Sequence, residues 1–533
     1  MSLLVSLFSV ALVFAGCSSP RTSPTPDSGV PVDGGGDAGD SGTPTDGGMD
    51  STTPPGDSGS MTGDGGIVQL GEGLVLRGVV LTPSGPLDPG EVYVVDNTIR
   101  CVAADCSGET GAADATIIET GGVISPGLID GHNHLPYNFL DEWVPDPLTL
   151  YDNRYLWSDV PSYEAHVEPY SAHRSTGTHY CPAAKWGELR ALVHGTTTIQ
   201  GQSFQQSCVN RLVRNADHFH GLGHDHMRTS IASPRDITDS QATSFVASFT
   251  DPDEPVTRLA VHMGEGVMGS NLELEFGSFA GRDTRTNRHA GTSLLEAMDG
   301  SYRGTGMLIH AVALNDTELI EVADTDSKIV WSPSSNMVLY GQTADIGRIL
   351  ELGITVGLGP DWTVSGEDEM LSEMRFALDW ARAEGVAAVT PEALVRMATG
   401  DGAEVVGLPT IGTLEVGQVA DITVFARIGA DPYLAVVESR AQDVALVLID
   451  GQAYYGDLAY EMATSVNGEC DMIDACGTAK FVCVKNTPGA DSRADESLED
   501  IRVQLVNILE GTGYPADEQY GRGDELLELI SCD

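Results

Sequence analysis

From about residue 126 to residue 404, apolar runs of strand texture alternate with helical stretches, and this alternation constrains the fold more than any other feature. Strands separated by helices assemble into parallel sheets, so roughly 270 residues of this pattern predict an α/β fold, a (β/α)8 TIM barrel. Thr390-Pro391-Glu392 shows how its helices start. A capping threonine, proline at the first helical position and an acidic first turn precede the apolar stripe Leu394, Met397 and Ala398. On both sides of this region the texture is β alone. Val75 to Leu81 and Glu91 to Ala103 are rich in β-branched residues, and the same texture returns at Gly417 to Phe425 and at Val444 to Tyr455. The flanks 67–125 and 405–457 are therefore expected to close together as a composite β-sandwich domain beside the barrel at 126–404.

The ends carry different information. Leu3 to Ala15 is apolar apart from serines, too short to span a membrane comfortably, and fits the core of a signal peptide. Its end, Phe14-Ala15-Gly16-Cys17, resembles a bacterial lipobox, which implies a lipoprotein signal peptide over residues 1–17, in which Cys17 is lipidated and becomes the new N-terminus. Two features depart from that pattern: no Lys or Arg precedes the run, and Phe14 stands where leucine is usual. Residues 18–66 are almost wholly Gly, Ser, Thr, Pro and Asp with one basic residue, Arg21, and read as a disordered acidic tether. The expectation is an exported protein of the cell envelope that meets the membrane only through its lipid. Without Cys17 eight of the nine cysteines remain, an even set compatible with disulfides, and Cys101–Cys106 and Cys181–Cys208 are the natural local pairs. The extension 458–533 holds the other four and an amphipathic helix from Leu498 to Leu509, expected to dock on the barrel. With 28 basic against 78 acidic residues the net charge is -50, which repels phosphate backbones and excludes nucleic acid as a natural partner.

Chemistry concentrates at strand ends. Pro126-Gly127-Leu128-Ile129-Asp130-Gly131-His132-Asn133-His134 places two histidines at i and i+2, where both imidazoles can reach one cation. Further apolar runs end in Val261-His262-Met263-Gly264-Glu265, in Met307-Leu308-Ile309-His310 and in Leu358-Gly359-Pro360-Asp361. With Gly195-Thr196-Thr197-Thr198 and Ile411-Gly412-Thr413-Leu414-Glu415-Val416-Gly417, this series resembles the amidohydrolase superfamily, in its cyclic-nitrogen deaminase and chlorohydrolase-like branch, from about Gly73 to Asp457.

The resemblance implies a metal held by His132, His134, His262 and Asp361. It makes Glu265 the proton shuttle, His310 the group that steadies developing charge, and Asp361 a second proton acceptor. From His132 to Asp361 there is room for seven βα steps of about 33 residues, as a decorated barrel requires. Binuclear relatives bridge two metals with a carboxylated lysine on the fourth strand, but the only lysines are Lys185, Lys328, Lys480 and Lys485, none suitably placed. One divalent ion is expected, zinc with iron as the alternative. Many relatives carry histidine where Trp331 stands, so Trp331 either forms an apolar wall for the substrate or fills the barrel. Tyr137 and Asn138 are candidates for the mouth of the site. His218, His220, His224 and His226 read as loop histidines, with substrate contact or a separate metal site as the other readings. The implied activity is hydrolysis of a carbon–nitrogen bond other than a peptide bond, in a small cyclic amide or amidine. A dipeptidase-like or lactone-cleaving relative and a binding protein on an inactive barrel are the alternatives.

Overall fold

The computed structural model describes residues 66–145, 148–171, 177–201, 212–229, 234–270, 272–283, 293–298, 302–463, 470–485, 496–511 and 526–532. Cys17, the signal segment, the tether up to residue 65 and Cys208 lie outside the described residues. Among the described residues no helix is long and apolar enough to cross a membrane.

Chain order gives β1 (Gly66–Gln69), β2 (Leu74–Thr82), β3 (Gly85–Val95), β4 (Thr98–Ala103) and β5 (Thr116–Pro126) before the α/β region. That region supplies β6 (Leu128–Asp130), β7 (Thr196–Ile199), β8 (Arg214–Asn215), β9 (Met227–Arg228), β10 (Arg258–Met263), β11 (Gly306–His310), β12 (Lys328–Trp331) and β13 (Val356–Leu358). Then follow β14 (Ile422–Phe425), β15 (Val444–Ile449), β16 (Gln452–Asp457), β17 (Asp471–Ala475) and β18 (Thr478–Val482).

The α/β strands form two parallel arcs, β6-β7-β8 and β13-β12-β11-β10-β9. At their C-terminal ends β6 and β13 are tied together. Gly131 donates its N–H to the Leu358 carbonyl (2.8 Å), Asp361 to His132 (3.1 Å) and His134 to Asp361 (2.6 Å). Among the described residues no ladder joins β8 to β9. Side chains alternate as a strand demands. Ile129, Ala260, Met307, Ile309 and Val330 share one buried cluster, whereas Val261, Met263, Leu308, Ile329 and Trp331 belong to the core that includes the helices.

The flanks differ in form from two stacked sheets. They make one ten-stranded mixed sheet in the order β17-β18-β16-β15-β14-β5-β2-β3-β4, with β1 beside β5. Register shifts interrupt the ladders of β2 with β3 and β5, of β3 with β4, and of β14 with β15, and such irregularities bend a sheet. Ile99 on β4 and Phe481 on β18 consequently share one core, and a bridge from Thr98 to Val419 ties β4 back to the chain entering β14. Residues past 457 belong to this sheet as well, because β18 pairs with β16. The helix Leu498–Gly511 packs on the helix Gly177–Val193, and disulfides Cys470–Cys483 and Cys476–Cys532 fasten the extension. The local pair Cys101–Cys106 forms as expected.

Candidate metal centre and catalytic cleft

Backbone geometry aims the side chains before chemistry enters. His310 and Asp361 end their strands at φ 74°, in the left-handed region that non-glycine residues avoid, at a cost of about 1–3 kcal/mol each. Such strain persists only where surrounding structure fixes it, and here it turns both side chains towards the ring of His132. Gly201 (φ 140°) follows β7 so closely that an added Cβ would lie 1.7 Å from the Asn133 carbonyl oxygen, so only glycine fits beside the His132–His134 loop. That loop is itself held by the buried Asp130, which accepts from the His132 N–H (3.0 Å) and the Asn133 amide (2.7 Å).

His132, His262 and His310 bring ring nitrogens within 4.8 Å of one another, and so do His132, His134 and a carboxylate oxygen of Asp361. The ring of His132 lies 4.7 Å from that of His262 and 5.0 Å from that of His134. The four residues expected to hold a metal therefore converge, with His310 as close as they are.

Hydrogen bonds fix which nitrogens are bare. Asp217 can only accept, so the Gln200 amide nitrogen faces it (3.0 Å) and the Gln200 oxygen faces His132 Nδ1 (2.9 Å). The His132 proton then sits on Nδ1, and Nε2 presents a lone pair to Asp361 Oδ1 at 3.3 Å. Neither atom makes a hydrogen bond although both are buried. Two facing lone pairs in a dry site repel, and either a proton on Nε2, which burial opposes and the Asp361 carboxylate favours, or a cation between them removes the conflict; the donor set of imidazoles and one carboxylate suits a divalent metal. Asn336 repeats the device. Its amide donates to Thr343 (3.2 Å) while its oxygen faces His310 Nδ1 (3.1 Å), leaving His310 Nε2 bare and also without a hydrogen-bond partner.

Burial pushes His262 well below the ordinary imidazole range and His310 down to about 3, so both remain neutral. Burial also opposes ionisation of Asp361, yet the His132 and His134 rings hold its carboxyl well below the usual carboxylate range. The Ser335 hydroxyl donates to its other oxygen (2.7 Å). Glu265 is pushed up to about 7 by burial, against the pull of the Arg154 guanidinium 3.7 Å away. Its Oε2 lies 3.6 Å from His310 Nε2, and its Oε1 accepts from the Tyr340 hydroxyl (2.7 Å).

A cavity of about 410 Å³ opens onto this cluster. It is lined by His132, His134, His262, Glu265 and Asp361, with Arg154, Trp157, Gln200, Asp217 and Trp362 around them. Trp331, Tyr137 and Asn138 are not among its lining residues. Trp331 is fully buried on the outward face of β12 against Trp380, and its indole N–H donates to Thr343 (2.8 Å), so it fills the strand–helix layer and is no substrate wall. Tyr137 stands edge-on behind Trp362 (5.6 Å), and Asn138 ties the loop to Asn133 (2.9 Å). Both brace the site from behind, because their loop turns away from the cleft. The four loop histidines are also accounted for. His220, His224 and His226 bond backbone carbonyls of His224, Pro255 and Val406, and His218 pairs with Asp225.

Sequence reading missed Arg154, Trp157, Gln200, Asp217, Tyr340 and Trp362. Gln200 and Asp217 were within reach, since each follows a short strand of the barrel, as His132 does. Arg154, Trp157 and Tyr340 arrive from connections whose sequence carries no such marker.

The amidohydrolase family model matches residues 257–454. A 5-methylthioadenosine/S-adenosylhomocysteine deaminase of Desulforudis audaxviator is 29% identical over 71% of this chain and 92% of its own length. A 5'-deoxyadenosine deaminase of Methanothermobacter thermautotrophicus is 25% identical over 72% and 94%. Among solved structures, an adenosine deaminase of Xanthomonas campestris with bound zinc shares the fold at TM-score 0.53 and 16% identity, over 83% of this chain and 99% of that one. An atrazine chlorohydrolase mutant of Arthrobacter aurescens, complexed with zinc and atraton, does so at TM-score 0.53 and 19% identity, over 72% and 95%. The chain is thus similar to the amidohydrolase family over residues 257–454, resembles these deaminases over most of their length, and shares the fold of the two zinc-bound structures.

Proposed function

We propose that this protein is a metal-dependent hydrolase of carbon–nitrogen bonds other than peptide bonds, and that it removes an exocyclic amine from a planar, adenine-like ring. The observation that carries this reading is the convergence of His132, His134, His262 and Asp361 beneath one cavity, with His132 Nε2 and Asp361 Oδ1 buried and without a hydrogen bond. We assign these four as ligands of a single divalent ion, zinc before iron, at the C-terminal rim of a closed (β/α)8 barrel. When bound, the ion supplies the Lewis acidity that makes water a nucleophile near neutral pH.

The side chains do the rest. Glu265, with a carboxyl poised near neutrality, takes a proton from the attacking water and delivers it to the leaving nitrogen. The carbon–oxygen bond forms as the carbon–nitrogen bond breaks, and ammonia leaves with that proton. Asp361 stays ionised and accepts from the same water. His310 turns Nε2 towards the reacting centre, within reach of the charge that develops there. Trp157 and Trp362 on the cavity wall suit a flat ring. The names of the deaminase relatives favour an aminopurine nucleoside over the dipeptide or lactone alternatives.

Ammonia release from 5'-deoxyadenosine, 5-methylthioadenosine, S-adenosylhomocysteine and guanine tests this reading. Turnover of at least one, abolished by chelation and restored by zinc, is expected; a metal-free, folded protein inert towards all of them would return the choice to a binding protein. We also propose export and lipid anchoring through Cys17. Labelling with a radioactive fatty acid should mark the wild type and not C17A.

A further inference from the structure

The helix Pro333–Tyr340 begins just past β12 and reaches three groups of the cleft at once. Ser335 donates to Asp361, Asn336 faces His310, and Tyr340, at the far end, donates to Glu265. Ser335 and Asn336 have second partners in Ser365 and Thr343, but only the second partner of Tyr340 lines the cavity. The Tyr340 oxygen accepts from the indole N–H of Trp157 (2.8 Å), and Trp157 lines the cavity whereas Tyr340 does not. The hydroxyl is buried between the wall that a substrate touches and the carboxylate that moves protons. Arg154 and His310 also approach that carboxylate, at 3.7 Å and 3.6 Å, both beyond hydrogen-bond length.

We infer that Tyr340 is a positioning residue, whose hydroxyl locks Glu265 against His310 and couples that pose to Trp157 on the substrate wall. This rests on the reading of Glu265 as proton shuttle. A carboxylate with one short hydrogen bond, one loose charged neighbour and one loose neutral one is held in one rotamer by that bond and is freer without it. Because Tyr340 does not reach the cavity, its loss should touch turnover and leave binding alone.

The test is a double-mutant cycle on the zinc-loaded full chain, with whichever of the four compounds above is turned over. Y340F should lower kcat about 10- to 100-fold with KM within about twofold, since one charge-assisted hydrogen bond is lost. In an E265Q background the same change should cost less than about twofold. W157F removes the indole N–H that the Tyr340 oxygen accepts, so it should raise KM and also lower kcat, by less than Y340F does, and a kcat that does not move would remove the coupling to Trp157. Equal losses in both backgrounds, or a Y340F protein that no longer folds or holds zinc, would assign the hydroxyl to structure alone and overturn the inference. A crystal structure of Y340F needs no substrate and separates this inference from the activity reading. Glu265 displaced from His310 supports the inference even if no compound is turned over, and Glu265 in its original pose defeats it even if the wild type is active.

Discussion

Gln200 and Asn336 set the chemistry of the cleft without entering the reaction. Each uses the fixed polarity of a side-chain amide to place a histidine proton on Nδ1, and each leaves Nε2 bare towards the centre. Replacing Gln200 by alanine frees His132 to rotate or change tautomer, so metal affinity should fall about 10- to 100-fold, measured by competition with a chelator. E265Q should retain the metal and lose about 100- to 10,000-fold in kcat. The pH profile follows from the same group. If Glu265 must be ionised to accept a proton, activity falls as pH drops through about 7. Arg154 opposes the upward push of burial by favouring the charged carboxylate, so R154M should move that fall to higher pH, and an unmoved profile would remove Glu265 from the step.

At the scale of elements, a buried ion pair joins the composite sheet to the α/β region. Arg214, on β8, donates from two nitrogens to Asp421 just before β14 (2.6 and 3.0 Å) and also pairs with Asp450 in the β15–β16 turn. D421A removes the buried partner and leaves Arg214 only the half-exposed Asp450, so it should cost about 1.5–3 kcal/mol in chemical unfolding. The strand ends that carry His132, His262, His310 and Asp361 were legible in sequence because an apolar run stopped by a polar residue marks the rim of a parallel sheet. The composite sheet was legible from its β-branched texture, but its curl into a single sheet was not, since it depends on irregularities that no residue pattern announces. Trp331 was misleading for a related reason. Strand alternation sends Val330 inward and Trp331 outward, and position along the chain alone does not say which face is which.

For the whole molecule, the central proposal is one divalent ion held where four side chains distant in sequence come together. Its most direct test is the metal content of the purified, folded chain, measured by plasma mass spectrometry beside the variants H262A and D361A. The account predicts close to one zinc or iron per wild-type chain, a large loss in both variants, and far-ultraviolet circular dichroism unchanged among the three. A wild-type protein that stays metal-free after incubation with zinc, or variants that keep the full complement, would contradict it.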